Sequence, residues 1–155
     1  MPFIQYLFAG AKIVPILVPP GGQPVALGEA VGEIISKDTE RVIVCIGSTD
    51  LTHYGPRYNF TPMGAGTNAI EWASQVNDKQ FVDLALKLEP QVMLTSAAEN
   101  CNACGAGAAA AAVAAAKKLG RGKGVLLAQT NSRDVMLEKM GTPSAESVGY
   151  AAIVF

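Results

Sequence analysis

Apolar residues fall into three kinds of run along the chain, and each kind predicts a different element. Residues 12–18, KIVPILV, form a short β-branched run closed by PPGGQP, which predicts a buried strand with Pro15 at an edge or a bulge. Residues 41–46, RVIVCI, are apolar without a break after Arg41, the pattern of a strand covered on both faces in a parallel sheet. Between them Val25, Leu27, Val31, Ile34 and Ile35 lie roughly on one helical face, with Glu29 and Glu33 opposite, so 25–36 is expected to be a surface helix. Together the three make a βαβ unit.

The next stretch, GSTDLTHYGPRYNFTPMGAGT, has no periodicity and is too long for a turn. It follows a strand end, where open α/β sheets place their sites, and so predicts a functional loop. Helical spacing resumes from Asn68 to Leu88, with NDKQ at 77–80 as a junction and Asn77 or Asp78 as an N-cap, which predicts two helices. Pro90 opens a further helical stretch ending near Glu99. In residues 102–124 alanine dominates, Asn102 is placed to cap the start, Lys117 and Lys118 sit at the negative end of the dipole and Gly120 ends the helix. So few large side chains allow that helix to lie unusually close to its neighbours. GVLLAQT (124–130) and VGYAAIVF (148–155) read as the last strands, and the polar 131–147 between them as a loop. The expected fold is a single α/β domain over 1–155, three-layered as α/β/α, with a mostly parallel or mixed sheet of about four strands.

Composition narrows the function. A chain of 155 residues can bury one core, and 12 Lys+Arg against 13 Asp+Glu leaves none of the basic excess that binds nucleic acid. No apolar run reaches the roughly 20 residues of a membrane span, and the start lacks a signal-peptide pattern, so a cytoplasmic protein is expected, with no nucleic-acid or membrane partner. Three cysteines, an odd number, suit a reducing compartment. The hydrophobic share, 50%, is at the high end for a globular domain.

Two features carry candidate chemistry. One is His53, the only histidine, with Asp50 placed to orient or charge it, Tyr54 and Tyr58 to shield it and Arg57 to hold an anionic ligand. The other is CNAC, Cys101 to Cys104, at the start of the alanine-rich helix, where the dipole stabilises a thiolate. A thioredoxin-like pair would follow a strand early in the chain, whereas here a helical stretch comes first. A zinc deaminase needs HxE and PCxxC, but the chain has His53-Tyr54-Gly55, and Asn100 before Cys101. A Cys₂His₂ zinc site lacks its second histidine. Gly105, Gly107 and Ala110 match GxGxxA without the entering strand or the later acidic residue, and no GxSxG elbow occurs. Packing of two small residues beneath a buried helix stays open for CNAC, as does a hydrogen-bonding surface role for His53.

Ser48-Thr49-Asp50-Leu51-Thr52-His53-Tyr54-Gly55, then Cys104-Gly105 at a helix start, then Ser147-Val148-Gly149-Tyr150-Ala151-Ala152 in a closing strand, in that order, resembles the Memo family, also called AmmeMemoRadiSam system protein B. The resemblance takes in the opening PFIQYLFAGAKIVPILV and thus nearly the whole chain, matched to the C-terminal half of the family's length. That family is similar to class III extradiol ring-cleavage dioxygenases, which hold non-haem iron with two histidines and an acidic residue. The resemblance implies Cys104 as a thiolate metal ligand in the acidic residue's place, His53 as the acid/base and Asp50 lining the site, with Tyr54 and Arg57 as candidate substrate contacts.

The resemblance further implies that the family's two metal histidines belong to an N-terminal half not found in this sequence. The expectation is therefore a metal-dependent oxidoreductase with half of a metal-site cleft, holding iron, or copper or zinc given the soft thiolate, or no metal in this fragment. Its partners would be a small molecule or peptide ligand, and either further copies of itself or a complementary N-terminal half. The alternative is a non-catalytic binding or assembly module in which CNAC serves as packing or as redox thiols.

Overall fold

Small residues decide how the chain is layered. Helix α6 (Ala106–Lys118) is almost entirely alanine, and α2 (Pro24–Lys37) turns Gly28 and Gly32 toward it. A Cβ at Gly28 would lie 2.8 Å from the Ala114 Cβ, and one at Gly32 the same distance from the Ala115 carbonyl oxygen. The two backbones thus approach more closely than any larger side chain permits, as the alanine pattern predicted. The structure, a computed structural model, describes residues 2–142 and 144–155. Met1, where the expected domain starts, and Pro143, inside the expected 131–147 loop, lie outside the described residues.

The other side of α6 carries the main core. Ala106, Val113 and Ala116 meet Phe81, Val82 and Ala85 of α4 (Lys79–Leu86), Leu88, Met93 of α5 (Pro90–Asn100) and Leu51. Ile153 and Phe155 close it from the sheet side. A second cluster, Tyr54, Ala69, Ile70 and Ala73, forms under α3 (Thr67–Trp72), with Phe60 and Trp72 at its margin. A short helix, α1 (Pro2–Leu7), starts the chain, and α7 (Ser132–Met140) joins the last two strands.

The fold mixes helix and sheet, as expected, but the sheet differs in kind from the expected one. Its order is β1-β3-β2, from β1 (His53–Tyr54), β3 (Ser147–Val154) and β2 (Val125–Asn131). Both pairings are antiparallel, with His53 opposite Val148 and Gln129 opposite Ala151, where a mostly parallel or mixed sheet of about four strands was predicted. The reason lies in the first βαβ unit. Residues 12–18 and 41–46 make no ladder among the described residues, and their side chains are largely exposed. A parallel strand exists only beside a neighbour, and here neither run has one.

Three further elements depart from expectation. Where 68–88 was expected to hold two capped helices, residues 67–86 form one continuous helical run, α3 and α4 joined by a π-helical segment, Ala73–Asp78. The wider π turn leaves both Asn77 and Asp78 buried instead of freeing one as a cap. Asn102 does not cap α6. Gly105 holds that position while Asn102, fully buried, donates to the Ser96 hydroxyl and the Asn77 carbonyl. Residues 132–140, read as loop, are α7, whose start is held by the Asn131 side chain accepting from the Asp134 N–H. No helix among the described residues is long and apolar enough to cross a membrane.

Candidate functional site

Residues 48–55 leave the unpaired 41–46 run and enter the sheet alongside its central strand, β3. The Leu51 N–H donates to Gly149, and the Gly149 N–H donates back to Thr52, so the segment is fixed before β1 begins. From inside, the Asp78 carboxylate accepts the Thr52 N–H at 2.8 Å and the Asn77 amide donates to the Thr52 hydroxyl at 3.0 Å. Burial pushes the Asp78 carboxyl up to about 6, against the lowering effect of its Thr52 hydrogen bonds. Thr52 faces inward to this network, and strand alternation sends its neighbour His53 to the other side.

A second segment arrives from α5. Cys101 ends that helix in a left-handed conformation, φ 51°, and the chain turns back toward residues 49–50. There the Cys104 N–H donates to the Asp50 carbonyl at 3.2 Å, and the Gly105 N–H donates to the Thr49 hydroxyl at 2.8 Å. A side chain at 105 would collide, because a Cβ there would lie 2.8 Å from the Ser48 carbonyl oxygen. The clamp sets Cys104 just before α6.

One donor atom each from Asp50, His53 and Cys104 lie within 4.8 Å of one another. The His53 Nε2 is 3.5 Å from the Asp50 carboxylate, too far for a hydrogen bond, and although buried it has no hydrogen-bond partner. An orphaned imidazole nitrogen converging with a carboxylate and a thiol is a donor set of mixed hardness that suits iron, copper or zinc. Cys104 is exposed and the Asp50 side chain half-exposed, so the cluster opens to solvent. Cys101 is not part of it, and all three cysteines are free.

The remaining predicted contacts divide. Tyr58 stands beside the site, its ring centroid 5.0 Å from that of His53. Tyr54 does not reach it. It is buried in the second core cluster, and its hydroxyl donates to the Gly64 carbonyl and accepts from the Met63 N–H. Adjacent residues in a strand face opposite ways, so a role for His53 at the surface sends Tyr54 inward. Arg57 is exposed on the turn Pro56–Tyr58, where its backbone N–H donates to Glu146. No hydrogen bond or ion pair among the described residues ties its guanidinium to the three donors.

Two site residues escaped the sequence reading. Tyr150, on β3, lies where burial, then Asp50 and then Tyr58 push its phenol above the ordinary value, against a Ser132 hydrogen bond. Thr49 holds the Cys104-Gly105 turn. Both lie inside the quoted motifs, but tyrosine and threonine are too common in strands to single out.

A family model described as Memo-like protein matches residues 1–154. A MEMO1 family protein of Methanosarcina acetivorans is 34% identical over 158 residues, which cover 99% of this chain and 52% of that protein. Those of Thermococcus kodakarensis and Pyrococcus furiosus are each 33% identical, with 54% and 53% of their lengths covered. The chain thus spans about half the length of the curated relatives it matches.

Proposed function

The chain belongs to the Memo family, and on that premise we propose that Asp50, His53 and Cys104 hold a redox-active or Lewis-acidic metal ion in a Memo-like, metal-dependent oxidoreductase site. The observation that carries the reading is the unpartnered His53 Nε2 beside the Asp50 carboxylate and the Cys104 sulfur. The imidazole is about a third exposed, but its Nε2 is covered, and an ion there would give that nitrogen the partner it lacks.

Cys104 supplies the soft anionic donor, Asp50 the hard one and His53 the neutral one. When bound, the ion supplies a Lewis-acid centre for a substrate oxygen. The exposed side of the cluster leaves room for that substrate, and the family resemblance points to oxygen chemistry of the class III extradiol type. The Tyr58 ring lies tilted beside the imidazole. His53 would be the residue placed to move a proton at the site where its Nε2 is not itself a ligand.

Metal analysis after chelator-free purification tests the reading. Wild type is expected to carry iron, copper or zinc in stoichiometric amount, and Cys104→Ala to lose more than the ~10–100-fold in affinity that an outer-shell partner costs. A metal-free wild type that takes up none of the three ions on titration would favour the alternative, a non-catalytic ligand- or peptide-binding module. Full occupancy in Cys104→Ala would remove the thiolate from the site.

A further inference from the structure

Strand register brings one more side chain to the three donors. Val148 stands opposite His53, so the two share a sheet face, and alternation returns Tyr150 to that same face. Gly149 between them belongs to the other face, where Asp78 fills the space of its missing side chain. The Gly149 carbonyl accepts the Leu51 N–H and the Gly149 N–H donates to Thr52, the two-against-one pairing of a bulge. Because the segments run antiparallel, Asp50, one residue before that pairing, comes beside Tyr150, one residue after it. The Asp50 charge accordingly reaches the Tyr150 phenol, as does the Tyr58 phenol that flanks His53.

The Tyr150 hydroxyl has its oxygen engaged and its proton free. The Ser132 Oγ accepts the Val148 N–H at 2.9 Å, which leaves the serine proton for the phenol oxygen. Among the described residues no hydrogen bond starts from the Tyr150 hydroxyl. Burial first, then Asp50 and Tyr58, push the phenol above the ordinary 10.0 despite the Ser132 bond, so the group keeps its proton at neutral pH. At 39% exposure the residue is still open to a molecule arriving from solvent.

We infer that Tyr150 is the ligand-positioning residue of the Asp50, His53 and Cys104 site, its hydroxyl donating to an anionic oxygen of the small ligand that binds there. The inference rests on the metal reading above and adds a selective contact to it. A ligand with such an oxygen gains a charge-assisted hydrogen bond, whereas one without it gains nothing from the tyrosine.

The test uses the 155-residue chain loaded with zinc, iron or copper, whichever titration shows to bind tightest. Two probes are titrated by calorimetry: acetohydroxamate, which offers anionic oxygens, and imidazole, which offers none. Tyr150→Phe is expected to weaken acetohydroxamate roughly tenfold, the usual worth of a hydrogen bond to a charged group. Metal affinity, imidazole affinity and the urea midpoint are expected to stay at wild-type values, all of which a merely structural role for Tyr150 would move. Equal loss for both probes, no loss for acetohydroxamate, or a loaded wild type that ignores acetohydroxamate would each overturn the inference while leaving the metal reading in place. So would a visible charge-transfer band in the iron(III)-loaded protein that vanishes in Tyr150→Phe, because the phenol would then be a ligand to the ion. A wild type that binds none of the three ions is a separate outcome, which removes the metal reading and this inference with it.

Discussion

Gly149 owes its missing side chain to Asp78. A Cβ at position 149 would lie 2.7 Å from the Asp78 Cγ, so the buried carboxylate and the glycine on β3 fill one space. The same glycine exchanges backbone hydrogen bonds with the 51–52 segment, and Asp78 holds that segment from beneath. Two residues 71 positions apart thus seat the loop that carries Asp50 and His53.

Gly149→Ala is accordingly expected to destabilise the chain by about 1–3 kcal/mol, the usual cost of forcing a methyl into a filled site. Urea denaturation measures it through a lower midpoint at unchanged slope. Wild-type stability in the alanine variant would mean that Asp78 moves aside freely.

The buried Asp78 makes stability depend on pH in the direction opposite to that of a salt-bridged carboxylate. Its folded-state value of about 6 stands above the ordinary 3.8, so the folded chain holds the proton more tightly than the unfolded one. This contribution is fully present below about 3.8 and is lost as pH rises through about 6, a change of order 3 kcal/mol at most. Asp78→Asn, which keeps the acceptor for the Thr52 N–H, should flatten the profile between pH 4 and 6. Denaturation midpoints of the two proteins across that range decide it.

Thr49 clamps the cysteine turn through its hydroxyl, which accepts from the Gly105 N–H. Thr49→Val removes the acceptor at nearly constant shape, whereas Thr49→Ser retains it. The valine variant is expected to lose about 1 kcal/mol of stability and roughly tenfold in metal affinity, with serine near wild type. Titration with zinc against a competing chelator gives the comparison.

Gly28→Ala sets two effects against each other. Alanine gains about 1 kcal/mol in helix propensity, but its methyl would sit 2.8 Å from both the Ala111 carbonyl carbon and the Ala114 Cβ. Backbone yields less readily than a side-chain tip, so the close approach wins and a net loss of about 1–2 kcal/mol is expected, read as a lower thermal midpoint. A gain would show that α2 can lift from α6.

What could be read from the chain depended on whether the signal was local. The α2 and α6 helices announced themselves by a one-sided apolar face and a run of alanines, and both lie within a few residues of their predicted ends. The α7 helix has no buried residue among its described positions, so hydrophobic spacing was silent there. Its flanking residues Asn131 and Gly141 were the only clue. The runs at 12–18 and 41–46 have strand composition but no ladder, because pairing depends on a neighbour that local sequence does not specify. At the site, the motif order anticipated that His53 and Cys104 meet, although fifty positions separate them. The exclusion of Tyr54 follows from strand alternation, and the inward turn of Asn77 and Asp78 required the π segment, which no residue pattern marks.

The clamp from the Cys104 N–H to the Asp50 carbonyl runs from main chain to main chain, so the gap between those two positions does not depend on which side chains occupy them. Replacing the sulfur at 104 with an imidazole or a carboxylate would leave the scaffold in register. If the proposed site holds an ion, its preference could then drift by a single codon while the architecture stands still.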